Sequence, residues 1–154
     1  MISTVRGSFS DYECDLALDP QDLASSSVSA KIHVQSVKTG ERLRDEFLVS
    51  KDFFKPEEFP SILFESTGVR TRGSKLTLVG KLKIRDKERS VTLEGSVKGP
   101  ESSRSGGRKM TFLLKTEVMR DAFDLSFNPT LETGNILVGN KLSINLEIVA
   151  VENP

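Results

Sequence analysis

The side chains that could do chemistry are few and scattered. His33 is the only histidine and Cys14 the only cysteine. One imidazole cannot assemble a metal site, and no cluster of His, Cys, Asp or Glu has useful ligand spacing. Hydrolytic chemistry of the Ser-His-Asp kind would have to recruit His33, and no G-x-S-x-G motif occurs. His33 falls on the polar side of an alternating stretch: Val28, Ala30, Ile32 and Val34 face one way, and Ser29, Lys31, His33 and Gln35 the other. It reads as a solvated surface residue. Cys14 occupies an apolar position of another alternating stretch, between Tyr12 and Leu16, so it reads as a small buried hydrophobe rather than a reactive thiol. A single cysteine also means no internal disulfide, which is compatible with a reducing compartment. Asp45 and Asp52 could in principle share acid–base work. Asp45 follows Arg44, however, and Asp52 opens a short turn, so salt-bridging and capping account for both. Gly106-Gly107 between Arg104 and Arg108 suggests a phosphate cradle only weakly, because no strand–glycine–helix context follows. This inventory predicts a protein that is not an enzyme, with no cofactor and no metal.

The elements around these residues are strands. Lys+Arg and Asp+Glu number 22 each in 154 residues, a length that fits one domain with a real core. The balanced charge provides no field for nucleic acid or an anionic membrane surface. No apolar run approaches a transmembrane span. Leu76, Leu78, Gly80, Leu82 and Ile84 alternate with Lys75, Thr77, Lys81 and Lys83; Val91, Leu93, Gly95 and Val97 alternate with Thr92, Glu94, Ser96 and Lys98. Met110, Phe112, Leu114 and Val118 repeat the pattern, as do Leu142, Ile144, Leu146, Ile148 and Ala150. Period two with one polar face means antiparallel strands wet on one side. Ile2–Val5 reads as strand, the tract 99–108 as a hairpin tip too polar to pack, and 126–140 as a long connection.

One stretch departs from this alternation. Arg44 to Ser66 holds Phe47, Phe53, Phe54, Phe59 and Phe64, five of the nine phenylalanines, around Pro56 and Pro60. The prolines forbid a long helix. A connector with one or two short helical turns is predicted, ending in a strand at Ile62 and plugging one end of the core with its aromatics. The same stretch carries a resemblance. Arg44-Asp45, Leu48, Ser50, Asp52-Phe53-Phe54, Phe59-Pro60, Phe64 and Ser66 together resemble the signature of the YceI-like family of polyisoprenoid-binding proteins. Gly80-x-Leu82-x-Ile84, Val118-x-Arg120-x-x-Phe123 and Val138-Gly139-x-x-Leu142-x-Ile144 resemble later segments of that family in order and spacing. Phe47 stands where the family usually has His, and Met119 and Asp124 depart from its Asn-Arg-x-x-Phe-Gly segment.

The resemblance implies an all-β, antiparallel lipocalin-like barrel that holds an isoprenoid lipid, such as a quinone tail. The residues themselves fit a binding barrel. The predicted inward wall is Phe64, Leu76, Leu78, Leu82, Ile84, Val91, Leu93, Met110, Phe112, Leu114, Ile144, Leu146 and Ile148, with Gly80 and Gly95 leaving space. Burial alone would hold the ligand, at roughly 0.8 kcal/mol per CH₂. Arg120 reads as a rim salt-bridge residue. The alternative is a solid-packed barrel acting as a stress-related structural or interaction scaffold. By the same resemblance Met1 falls within the family's second strand, so the barrel is expected to be incomplete at the N-terminus. A gap, or a partner strand filling it, is expected beside residues 2 to 10, with a homodimer through that open edge as one outcome. Met1–Arg6 lacks the features of a secretory leader, which reads as cytoplasmic for the chain as written, and as periplasmic or secreted if the start lies upstream.

Overall fold

Period-two alternation does become strand. The computed structural model describes residues 6–125 and 140–152, and among these it contains nine strands. They are β1 (Ser8–Phe9), β2 (Tyr12–Ala17), β3 (Ser27–His33), β4 (Val37–Lys38), β5 (Ser61–Arg72), β6 (Lys75–Ile84), β7 (Lys87–Ser102), β8 (Arg108–Met119) and β9 (Lys141–Val151). One antiparallel sheet runs β2-β3-β5-β6-β7-β8-β9, while β1 pairs with β4 in a separate two-stranded ladder. The larger sheet curls into a half-barrel.

The all-β antiparallel fold is as expected. Ser8 and Phe9 pair with Lys38 and Val37, so among the described residues the free edge on this side is β2, and the gap expected beside 2–10 falls in part on residues outside them. Among the described residues β2 and β9 are the two edges, and neither has an outer partner. The predicted strand Ile2–Val5 and nearly all of the 126–140 connection lie outside the described residues.

Tight turns join the central strands. Arg72 pairs with Lys75 around Gly73, whose φ of 62° is the left-handed backbone that glycine adopts without strain. Ile84 pairs with Lys87 across Arg85 and Asp86. The polar tract 99–108 is not all tip: β7 continues to Ser102 and β8 begins at Arg108, which leaves residues 103–107 as the turn. The strands absorb this length through a register shift between Lys98 and Glu101. A second irregularity lies between Ser66 and Gly68. It adds one residue to β5, so the inward row passes from Phe64 to Val69 at odd spacing.

The inward rows form two apolar clusters. One contains Val34, Phe47, Phe53, Phe54, Leu82, Ile84, Val118, Phe123 and Leu125. The other contains Val28, Leu76, Leu78, Leu93, Met110, Phe112 and Leu114. Phe64 and Val91 touch both. The charged set Lys81, Lys83, Glu94, Lys115 and Glu147 is exposed on the opposite face.

Candidate functional site

The connector closes one end of the half-barrel. Its helix α1 (Arg42–Leu48) is seven residues long and is followed by tight turns through Phe54. Phe53 is only 1% exposed. Its ring meets Phe54 edge-on with centroids 4.8 Å apart and lies 5.7 Å from Phe47. Arg44 and Asp45 do not pair with each other but clasp Thr39 together. Arg44 Nε donates to Thr39 Oγ1 at 2.8 Å, and Asp45 Oδ1 accepts the Thr39 backbone N–H at 2.9 Å. Ser50, not Asp52, organises the next turn, donating to the Phe47 carbonyl at 2.6 Å and accepting from the Asp52 N–H. Both carboxylates therefore sit in or beside backbone-fixing contacts, with no shared site between them.

The polar side chains elsewhere lie on the outer face. His33 is half-buried, with Nδ1 3.5 Å from Ser61 Oγ and Nε2 3.8 Å from Glu13 Oε1. This row of hydroxyl, imidazole and carboxylate spans three adjacent strands. Its separations exceed the 2.6–3.2 Å that proton transfer uses. The hollow on this face is lined by Glu13, Lys31, Leu63, Lys83 and neighbours, and not by His33 or Ser61. Cys14 departs from expectation: it is exposed, on β2, which is an edge strand among the described residues. Partial burial and then Asp15 raise its thiol pKa, which disfavours the thiolate. Among the described residues no group of three or more His, Cys, Asp or Glu could hold a metal ion.

The concave side carries the remaining candidate. Leu76, Leu78, Leu82, Ile84, Leu93, Met110, Phe112 and Leu114 are buried, while Phe64, Val91, Ile144, Leu146 and Ile148 are half-buried. They do not act as one wall. Leu82 and Ile84 pack with the aromatic plug. Leu76, Leu78, Phe112, Leu114 and Ile148 line a slot of about 40 Å³ together with Leu16, Leu18, Leu23, Val28 and Val69; Ser26 and Ser27 also border it but turn no polar surface into it. An open groove of about 480 Å³ adjoins it between β2 and β9, sharing Leu16, Leu18 and Ile148 and adding Met110, Ala150 and Arg108. Gly80 and Gly95 do not leave space, as they were expected to. A methyl group on Gly80 would collide with the Phe64 ring, and one on Gly95 with the Leu113 carbonyl oxygen. The room is already taken by a ring and the β5 backbone in one case and by the β8 backbone in the other.

Arg120 also differs from its expected place at the rim. It is 7% exposed, and among the described residues its Nε and Nη1 have no hydrogen-bond partner. Among the described residues it makes no salt bridge. Burial lowers its pKa, and neighbouring Asp121 opposes that only in part. At the groove's rim Arg108 and Glu152 form a two-pronged ion pair at 2.9 and 3.1 Å.

The profile of the YceI-like domain matches residues 1–150. The chain belongs to the YceI-like family. A UPF0312 protein of Staphylococcus aureus (strain N315) is 30% identical over 140 residues, 90% of this chain and 80% of its own. The YCEI protein of Campylobacter jejuni superposes with a TM-score of 0.85 at 26% identity, covering 100% of this chain and 88% of that one. Burkholderia cenocepacia BcnA superposes with a TM-score of 0.80 at 25% identity, covering 94% and 87%. These YceI-like relatives confirm the barrel type that the curled sheet builds. No helix among the described residues is long and apolar enough to cross a membrane.

The slot also draws on residues that alternation alone did not assign to it. Leu16 and Leu18 stood in a plain alternating row, and Val69 was hidden by the bulge at Thr67. Leu23 belongs to a 3-10 turn, Leu23–Ser25, that sits over the slot. The Asp19-Pro20 signal marked a turn there but not the direction in which Leu23 points.

Proposed function

We propose that this YceI-like protein is a binding or carrier protein for a single long apolar chain, an isoprenoid lipid such as a quinone tail or polyisoprenoid, and not an enzyme. The observation that carries this is the slot's lining: Leu76, Leu78, Phe112, Leu114 and Ile148 converge with β2 and the Leu23 turn, and no polar surface faces them. A hollow without hydrogen-bond partners rejects water and favours an apolar guest. At about 40 Å³ the slot is smaller than a prenyl chain needs. Loading therefore widens it at the Leu23–Ser25 turn and along the groove, where Leu16, Leu18 and Ile148 belong to both hollows. Phe64, Val91, Leu93, Met110 and Leu146 belong to the cluster around this region, while Leu82, Ile84 and Ile144 limit how deep a chain reaches against the plug.

Organic extraction of purified protein followed by mass spectrometry is expected to release an isoprenoid. Leu78 is 3% exposed. Leu78→Asp should abolish uptake and cost several kcal/mol, about the penalty for an unpaired polar or charged group in an apolar site. Undiminished lipid retention in that variant would exclude an internal site. The second reading, a solid-packed scaffold, is favoured by the Phe64 ring filling the space beside Gly80. An empty extract, together with no thermal shift on adding a quinone, would select it.

A further inference from the structure

A net charge of zero is an average, and the fold distributes it unevenly. Each strand of the large sheet runs against its neighbour, so three connections gather at one end: residues 18–26 after β2, the β5–β6 turn and the β7–β8 turn. The aromatic plug closes the opposite end. The gathered end carries Arg70, Arg72 and Lys75 about one turn, and Lys98, Arg104, Arg108 and Lys109 about another. Its carboxylates are Asp19, Asp22, Glu101 and Glu152. Glu101 pairs with Lys98 at 3.3 Å and Glu152 with Arg108 at 2.9 Å, while Asp19 accepts the Gln21 backbone N–H. Arg70, Arg72, Lys75 and Arg104 are exposed and have no ion pair among the described residues. Outside those residues the sequence holds a single acidic side chain, Glu132.

The apolar slot belongs to this cationic end. Leu18 and Leu23 reach it from the first connection, and Val69 and Leu76 stand beside the β5–β6 turn. None of the four unpaired cations lines the slot or the adjoining groove, so they do not grip a headgroup inside either hollow. Val149 and Val151, 53% and 48% exposed, stand on the outer face where β9 ends at the same rim. Exposed cations beside exposed apolar side chains suit the surface of an anionic bilayer, which supplies both counter-charge and an apolar layer. A soluble polyanion would meet only the charge. We propose that this end of the half-barrel, from the β5–β6 turn to the end of β9, is a docking surface for an anionic membrane. Docking sets the slot beside the bilayer from which an apolar chain is loaded. That purpose rests on the carrier reading, whereas the charge asymmetry does not.

The test is co-sedimentation of the chain with vesicles of phosphatidylcholine containing about one-third phosphatidylserine, against vesicles of phosphatidylcholine alone. Binding to the anionic vesicles only is expected, and about 0.5 M salt should reverse it by shortening the screening length. Arg70→Gln, Arg72→Gln and Lys75→Gln together should weaken it about a hundredfold, at roughly fivefold for each cation lost. Lys81→Gln, Lys83→Gln and Lys115→Gln remove the same charge from the flank and should leave binding within about twofold. All six side chains are exposed, and circular dichroism checks the fold of both variants. If either fails to fold, vesicle composition and salt still decide the matter on the unaltered chain. Equal binding to both vesicle types, equal loss in the two triple variants, or no binding at all would overturn the proposal. So would binding to soluble polyglutamate as tight as to charge-matched vesicles, which would assign the rim to an acidic protein. Organic extraction keeps the two readings apart. Vesicle binding without a recovered isoprenoid supports docking and sinks the carrier, and a recovered isoprenoid without vesicle binding does the reverse.

Discussion

Phe53 does for the plug what no other single side chain does, since it meets both Phe47 and Phe54 while itself excluded from solvent. Phe53→Ala is expected to cost about 3–5 kcal/mol, the range for emptying an aromatic site in a packed core. Urea unfolding would read the loss as a lowered midpoint at unchanged slope. Arg120 is the opposite case, a buried cation with two nitrogens unbonded among the described residues. Arg120→Met keeps the stem and removes the charge, so stability should hold or rise by about 1–3 kcal/mol, the penalty for leaving a polar group unpaired. A clear fall in melting temperature would mean that the guanidinium is bonded. Glu152 provides a pH prediction. Hydrogen bonding and then charge attraction from Arg108 lower its pKa, so the pairing's contribution is complete above the ordinary glutamate range. It is lost as pH falls through the depressed folded value. A carboxyl NMR titration should place Glu152 below the ordinary glutamate range, and Arg108→Gln should raise it.

At the scale of elements the sharpest contrast lies between two glycines that look alike in sequence. A methyl group at Gly80 meets the Phe64 ring and the Glu65 carbonyl oxygen at 2.6 Å, whereas one at Gly95 drives deeper, into the backbone of β8 itself. Gly80→Ala should therefore cost about 1–3 kcal/mol, as overpacking usually does, and Gly95→Ala more, because the β7–β8 ladder itself must part. Equal losses would contradict this. Strand positions and faces were legible in the residues because period-two alternation is enforced by burial along β6, β7, β8 and β9. The aromatic plug was legible because prolines and crowded phenylalanines leave few alternatives. The bulge at Thr67 was not, since nothing in Ser66-Thr67-Gly68 distinguishes an extra residue from an ordinary strand. The site was legible only in part for the same reason: alternation says which side a leucine faces, not whether that side is filled. The glycines misled because absence of a side chain was taken for absence of matter. Cys14 misled because an apolar parity on an edge strand does not guarantee cover.

For the whole molecule, the strand order has a kinetic consequence. Apart from β4, which leaves with β1, every strand of the large sheet pairs with the one before it in the chain. From β5 through β8 these pairings are tight hairpins, whereas long stretches separate the paired His33 and Ser61 and the paired Met119 and Lys141. The β5–β8 middle of the sheet can therefore zip with little loop entropy to overcome, and the outer strands on both sides join later. The β2–β3 arm must wait for the aromatic connector to collapse before it can dock on β5. Stopped-flow refolding should accordingly separate a fast phase, sensitive to substitutions in the β6–β7 turn, from a slower one sensitive to Phe53 and Phe54. On a ribosome that order is inverted, because the arm emerges first and stays unpaired until β5 follows it out.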